Sequence, residues 1–216
     1  MNFEEIKKKT EAFVRDELFT LEPWILNVEW KEKLPKLNEL REKVKSKGLW
    51  LPQIPIEYGG LGLTNAEHGE VSEILGASPY GHYCFNCQAP DAGNMEILIE
   101  FGTDKQKEAY LYPLLKGEIR SCFAMTEPDH AGSNPVKMGT IATKENGNYV
   151  INGHKWFTSG FDGATFAIVM LVSDPDASAP HKKASQVIVP TSSEGLEFVR
   201  NISIMGHPGG GWESHA

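Results

Sequence analysis

Several small groups of residues have types and spacings that could do chemistry. Cys84-Phe85-Asn86-Cys87 has the spacing of half a zinc site or of a redox pair. A structural zinc takes four ligands, however, and no second cysteine pair or histidine pair stands at partner spacing, so the thiols read as structural. Asp129, His130 and Ser133 hold the residue types of a nucleophilic triad. Triad members are ordinarily assembled by the fold from distant positions, and Ser133 lacks the strand-turn-helix context of an activated serine, so this stretch reads as a loop. Gly60-Leu61-Gly62-Leu63-Thr64-Asn65 is a partial glycine fingerprint, but it lacks the final small residue and no alternation of strands and helices follows. Gly209-Gly210-Gly211 precedes no helix start and reads as a loop.

Two further segments are richer. A short apolar run, Ser121 to Met125, opens into Thr126-Glu127-Pro128-Asp129-His130-Ala131-Gly132-Ser133, dense in hydroxyls, small residues and backbone amides. Such a loop can hydrogen-bond a flat polar ring or a pyrophosphate. Downstream, Trp156 and Phe157 place aromatic area beside the hydroxyls of Thr158 and Ser159, a suitable wall for a planar cofactor.

The elements that must position these segments divide the chain in two. Residues 1–118 read as a helical domain. Phe3, Ile6, Phe13, Val14 and Leu18 fall near one face of a 3.6-residue period, and Leu37, Leu40 and Val44 define a second helix from about Leu34 to a stop at Gly48. Thr64 with Glu67, and Thr103 with Gln106, have capping-box spacing and start two more helices. Between them, Met95, Ile97, Leu98, Ile99 and Phe101 cover most of a helix circumference and predict burial. From 119 to 216 the texture changes to strands. Met138 to Lys144 and Tyr149 to Asn152 flank Asn146-Gly147, a strong hairpin signal. Ala164 to Val172, Gln186 to Val189 and Leu196 to Ile204 are further strand runs. The reading is α+β: a helical bundle domain followed by a small antiparallel β-domain, barrel or sandwich.

Composition limits the partners. The chain has 216 residues with 21 Lys plus Arg against 29 Asp plus Glu, a formal charge of −8, and no basic block for a phosphate backbone, so nucleic acid is not an expected partner. The longest apolar run, Ala164 to Val172, is about half of a bilayer span. With only three cysteines and no secretory signal pattern, the expectation is a soluble cytoplasmic protein, or a mitochondrial matrix one where a longer precursor exists.

Five separated motifs then carry a resemblance. Tyr58-Gly59-Gly60-Leu61-Gly62 follows Pro52. Next come Gly102-Thr103-Asp104-Lys105-Gln106-Lys107 and Leu114-Leu115-Lys116-Gly117-Glu118, then Thr126-Glu127-Pro128 with Ala131-Gly132-Ser133, and last Ile151-Asn152-Gly153-His154-Lys155-Trp156. In this order they resemble the acyl-CoA dehydrogenase family over nearly the whole chain. Phe85-Asn86-Cys87, Ala89-Pro90-Asp91 and Gly93-Asn94-Met95-Glu96 resemble one branch of it, which also carries an extra residue after Thr126-Glu127-Pro128.

The resemblance implies FAD bound between the β-domain and a C-terminal four-helix domain, before which this chain is expected to stop. By position, it implies that Phe123, Ala124, Met125, Thr126 and Ser133 line the flavin, with Ser133 also reaching towards the CoA part of the substrate. Phe157, Thr158 and Ser159 match the second flavin segment, Phe157 standing where a Trp is usual. The implied reaction is α,β-dehydrogenation of a fatty acyl-CoA, with an electron-transferring flavoprotein as partner and a homo-oligomer when full length. The implied catalytic base is a Glu of the C-terminal domain, so no catalytic residue is nominated here. An acyl-CoA oxidase-like flavoenzyme and a non-catalytic binding or assembly module of the same fold are the rival readings.

Overall fold

The computed structural model describes residues 1–132 and 134–204. It separates into two compact units that divide between Gly117 and Glu118.

The first unit is helical. Helix α1 (Phe3–Phe13) is capped by the Asn2 side chain, which accepts the Glu5 N–H at 2.9 Å. It continues through a π-helical turn, Val14–Leu18, into α2 (Phe19–Ile25), beyond the Leu18 boundary that apolar spacing predicts. Leu18 and Ile25, two turns apart, are both buried, so the apolar face continues past the π turn. Helix α3 (Trp30–Ser46) starts before the predicted Leu34. Tertiary contacts carry that added turn: Trp30 packs edge-on against Tyr83 with ring centroids 5.5 Å apart, and Lys33 donates to the Tyr80 hydroxyl at 3.0 Å.

The capping box of Thr64 and Glu67 opens α4 (Asn65–Leu75) as its spacing predicts. A five-residue helix that sequence periodicity misses, α5 (Gly81–Phe85), follows. In α6 (Asp91–Phe101) Met95 and Leu98 are buried, but Ile97 and Ile99 are half-buried and Phe101 is 72% exposed, so burial is confined to one side of the helix and the expected all-round burial is not met. The second capping box, Thr103 with Gln106, opens α7 (Asp104–Gln106), which passes through a π turn, Lys107–Leu111, into α8 (Tyr112–Lys116). The glycine-rich stretch after Pro55 folds back on its own approach: the N–H groups of Leu61, Gly62 and Leu63 donate to the carbonyls of Leu51, Ile54 and Pro52. Its glycines thus serve a tight loop.

A buried guanidinium organises the middle of this unit. Arg41, only 5% exposed, donates to the Tyr83 carbonyl at 2.7 Å and to Asn86 Oδ1 at 3.1 Å, and lies 4.8 Å and 4.7 Å from the ring centroids of Trp50 and Tyr83. Asn86, in the left-handed region at φ +56, returns its amide to the Leu114 carbonyl, and the Trp50 indole N–H donates to Leu115. The guanidinium therefore ties α3, α5 and α8 together. Gly117 closes α8 at φ +73, where an added Cβ would collide with the Arg41 guanidinium.

The second unit is a five-stranded sheet of β1 (Ser121–Ala124), β2 (Ile141–Glu145), β3 (Asn148–Asn152), β4 (Phe166–Val172) and β5 (Ala184–Pro190). Strands β2 and β3 form the predicted hairpin, with Asn146 and Gly147 at φ +50 and +85 as its turn. The sheet is mixed, whereas the sequence reading expects antiparallel pairing throughout. Strand β4 runs antiparallel to β5 but parallel to β1, and it meets β2 in parallel at Ile141 and Val172. Long intervening loops permit the parallel crossing. With partners along both edges, β4 explains its own sequence: a near-continuous apolar run, buried from Phe166 to Val169.

The core behind it comprises Cys122, Ala124, Ala142, Ala164, Ala167, Val169 and Leu171, with Phe161 and Val187 packed against it. The alternation from Leu196 to Ile204 predicts a strand, but residues 196–203 have no strand pairing. Here Phe198 stacks on Phe161 with centroids 5.6 Å apart, so side-chain stacking replaces a ladder.

Lysine keeps the charge of Arg41 but not its planar fork. Arg41→Lys is expected to lower the unfolding free energy of the helical unit by about 2 kcal/mol. Urea denaturation followed by tryptophan fluorescence measures this, and a change below about 0.5 kcal/mol would contradict the role given to the fork.

Candidate functional site

The two hydroxyl-bearing segments singled out in the sequence lie side by side in the second unit. Phe123 and Ala124 end β1, opposite Ile168 and Val169 of β4. Met125 and Thr126 leave the strand half-buried. The Trp156 N–H donates to the Thr126 carbonyl at 3.0 Å, and the Lys155 ammonium donates to the Met125 carbonyl at 2.8 Å. Residues 125–127 and 155–156 are thereby fixed against each other.

The fastening is completed by a residue to which sequence reading gives no role. Glu127 is 4% exposed. Its Oε1 accepts from Lys155 Nζ at 2.8 Å and from the Thr140 N–H at 2.8 Å, and its Oε2 accepts from the Gly139 N–H at 2.6 Å. His130 Nε2 stands 3.6 Å from Oε2. Burial alone would raise the Glu127 carboxyl, but Lys155 and the hydrogen bonds from Thr140 and Gly139 outweigh it and hold the group at about 2. Burial lowers the Lys155 ammonium from its ordinary value, opposed by Glu127. Gly153 is required beside this cluster, because an added Cβ would collide with the Thr140 side chain.

Phe157, next along the chain, has φ +52, the left-handed region that a bulky aromatic rarely adopts. Its ring is 45% exposed and meets the Trp156 ring edge-on at 5.1 Å. The Ser159 N–H donates to the Phe157 carbonyl at 3.1 Å, and the Phe161 N–H to the Thr158 carbonyl at 3.2 Å. Thr158 is buried and Ser159 half-buried. The Trp156 indole Nε1 is buried with no hydrogen-bond partner among the described residues. A presented aromatic ring, adjacent hydroxyls and an orphaned donor fit a flat ligand edged with hydrogen-bond acceptors, as an isoalloxazine ring is.

Asp129 and His130 are exposed on the same loop, and Ser133 lies outside the described residues. Cys84 and Cys87 are buried in the helical unit, and burial pushes the Cys84 thiol up to about 12 and the Cys87 thiol up as well. Among the described residues, no helix is long and apolar enough to cross a membrane. Local spacing could not reveal Glu127 and Lys155, since their partners stand 12 to 30 residues away. The one available signal was the improbability of burying either charge alone.

Comparison with known proteins gives the class. Residues 2–118 match the family described as acyl-CoA dehydrogenase, N-terminal domain, and residues 122–213 match acyl-CoA dehydrogenase, middle domain. Acyl-CoA dehydrogenase family member 10 of Mus musculus is 41% identical over 212 residues, which are 92% of this chain and 20% of that protein. A solved structure from Mycobacterium abscessus, assigned as an acyl-CoA dehydrogenase, superposes with a TM-score of 0.89 at 34% identity, over 99% of this chain and 56% of the other. An acyl-CoA dehydrogenase from Bacillus anthracis, complexed with FAD, superposes with a TM-score of 0.73 at 25% identity, over 99% of this chain and 34% of the other. The chain belongs to the acyl-CoA dehydrogenase family and has its fold, a helical N-terminal domain followed by a mixed-sheet middle domain. It spans from a fifth to just over half of the length of these relatives.

Because the folded value of Glu127 lies below the unfolded one, its contribution is fully present above about 4.5 and is lost as pH falls towards about 2. The thermal midpoint of the second unit should therefore fall across that interval. Glu127→Gln should flatten the fall and cost about 3 kcal/mol at pH 7 by leaving Lys155 buried without its counter-charge. A Glu127→Gln profile parallel to wild type between pH 4.5 and 2 would contradict the assignment.

Proposed function

We propose that residues 1–216 form the helical and flavin-facing portions of an FAD-dependent acyl-CoA dehydrogenase, which converts a fatty acyl-CoA thioester to the 2-enoyl-CoA. The observation that carries this reading is the joined pair of segments, 125–127 and 155–159, which bring the half-buried Thr126 and Ser159 onto one support with the exposed Phe157. When bound, FAD supplies the two-electron acceptor for hydride leaving the β-carbon.

The chain's own residues bind and orient. The segment Phe123, Ala124, Met125 and Thr126, with Ser159, would line the ring system and offer it hydrogen bonds. Phe157 walls one side, and the buried Thr158 supports the turn that carries it. Ser133 is assigned to the flavin and to the CoA part of the substrate. Glu127 is not the base that takes the α-proton: its oxygens already accept three hydrogen bonds, and a carboxyl held at about 2 is a poor proton acceptor. The base in this reading lies outside residues 1–216. The partners are the acyl-CoA substrate, an electron-transferring flavoprotein and, for the full-length protein, further copies of itself.

The reading predicts that FAD added to the protein shows saturable quenching of flavin fluorescence. Thr126→Val and Ser159→Ala should each raise the Kd about tenfold, the effect of removing one hydroxyl from a desolvated hydrogen bond. Unchanged affinity in both variants would sink the assignment.

A further inference from the structure

We propose that Lys155 and Glu127 are positioning residues for the planar ligand, acting through Phe157 by clamping the backbone that holds its ring outward. The inference rests on the flavin reading above and goes beyond it, since neither side chain is assigned to the ligand itself.

Three observations support it. First, the pair joins separate pieces of chain. Lys155 Nζ donates to the Met125 carbonyl and to Glu127, while Glu127 accepts the N–H groups of Gly139 and Thr140, and the Thr140 carbonyl accepts from Val172 at the end of β4. The clamp is thereby anchored to the central strand. Second, the residue two positions after Lys155 is an aromatic in the left-handed region, and its ring is 45% exposed. Burial of the ring therefore does not offset the unfavourable backbone, and the surroundings must hold it. On one side they do so through Lys155 and the Trp156 N–H bonded to Thr126, and on the other through the Ser159 N–H bonded to Phe157 itself. Third, a buried ion pair is a poor device for stability alone, because a neutral or apolar pair of similar volume commonly serves as well. What this ammonium adds is direction: it fixes the Met125 carbonyl and the Glu127 carboxylate at the same point, and so fixes where Thr126 and Phe157 stand relative to each other.

The test uses three variants of the protein, with folding read by thermal melting and ligand binding by FAD fluorescence quenching and by the visible circular dichroism of bound flavin. Glu127→Gln/Lys155→Met removes both charges but keeps one acceptor oxygen for the Gly139 or the Thr140 N–H. It should melt cooperatively, yet raise the FAD Kd at least tenfold and alter the dichroism bands, and returning a cation as Glu127/Lys155→Arg should recover part of the affinity. Phe157→Gly relieves the left-handed strain and should raise the melting midpoint while weakening FAD binding by a similar factor, an opposition that a merely structural residue would not show. A double variant that folds and binds FAD within twofold of wild type, with unchanged dichroism, overturns the inference while leaving the flavin reading intact. If the double variant does not fold, a Phe157→Gly midpoint no higher than wild type overturns it instead. Absence of saturable quenching by the wild-type protein overturns the flavin reading, and this inference with it.

Discussion

A carboxylate taken almost wholly out of water must have its lone pairs occupied, and the second unit is arranged around that requirement at Glu127. Two backbone N–H groups and one ammonium meet it. The donors come from two parts of the chain, Gly139-Thr140 and Lys155, and Glu127 itself follows β1, so satisfying one side chain fixes the approach to β2, the exit from β1 and the segment before Phe157. The same requirement explains Gly153, since the chain must pass Thr140 too closely for a side chain. In the first unit a comparable buried group is the cation Arg41, which faces the Tyr83 carbonyl, the Asn86 amide oxygen and two aromatic rings. In each unit a buried charged side chain thus cross-links elements which apolar packing alone would leave free to slide.

The parts of the fold that depend on near neighbours could be read from the sequence. Thr64 with Glu67 and Thr103 with Gln106 are satisfied within one helical turn, and Asn146-Gly147 determines its hairpin through its own backbone. The parts that depend on distant partners could not. The early start of α3 rests on Tyr80 and Tyr83, some 50 residues on. Parallel pairing of β1 with β4 joins strands more than 40 residues apart, and nothing in either run distinguishes a parallel from an antiparallel neighbour. Leu196 to Ile204 has the alternation of a strand, but alternation describes a half-buried extended chain and not its hydrogen-bond partner.

The candidate site divides in the same way. Its hydroxyls and aromatics, Thr126, Phe157, Thr158 and Ser159, stand out by residue type and by resemblance to the family. The residues that make them one surface do not. Glu127 invites assignment as an acid or base because a carboxylate beside a loop of hydroxyls suggests proton transfer; its low value and full set of donors instead give it a structural task.

Native-state amide hydrogen exchange tests most directly whether Glu127 holds these segments of the second unit together. The N–H groups of Gly139, Thr140 and Trp156 donate to Glu127 or to the segment it anchors, and they should exchange only through global unfolding of the unit, with protection equal to the slowest amides of β4. Exchange of these three amides through a local opening, well before that of β4, would contradict the account.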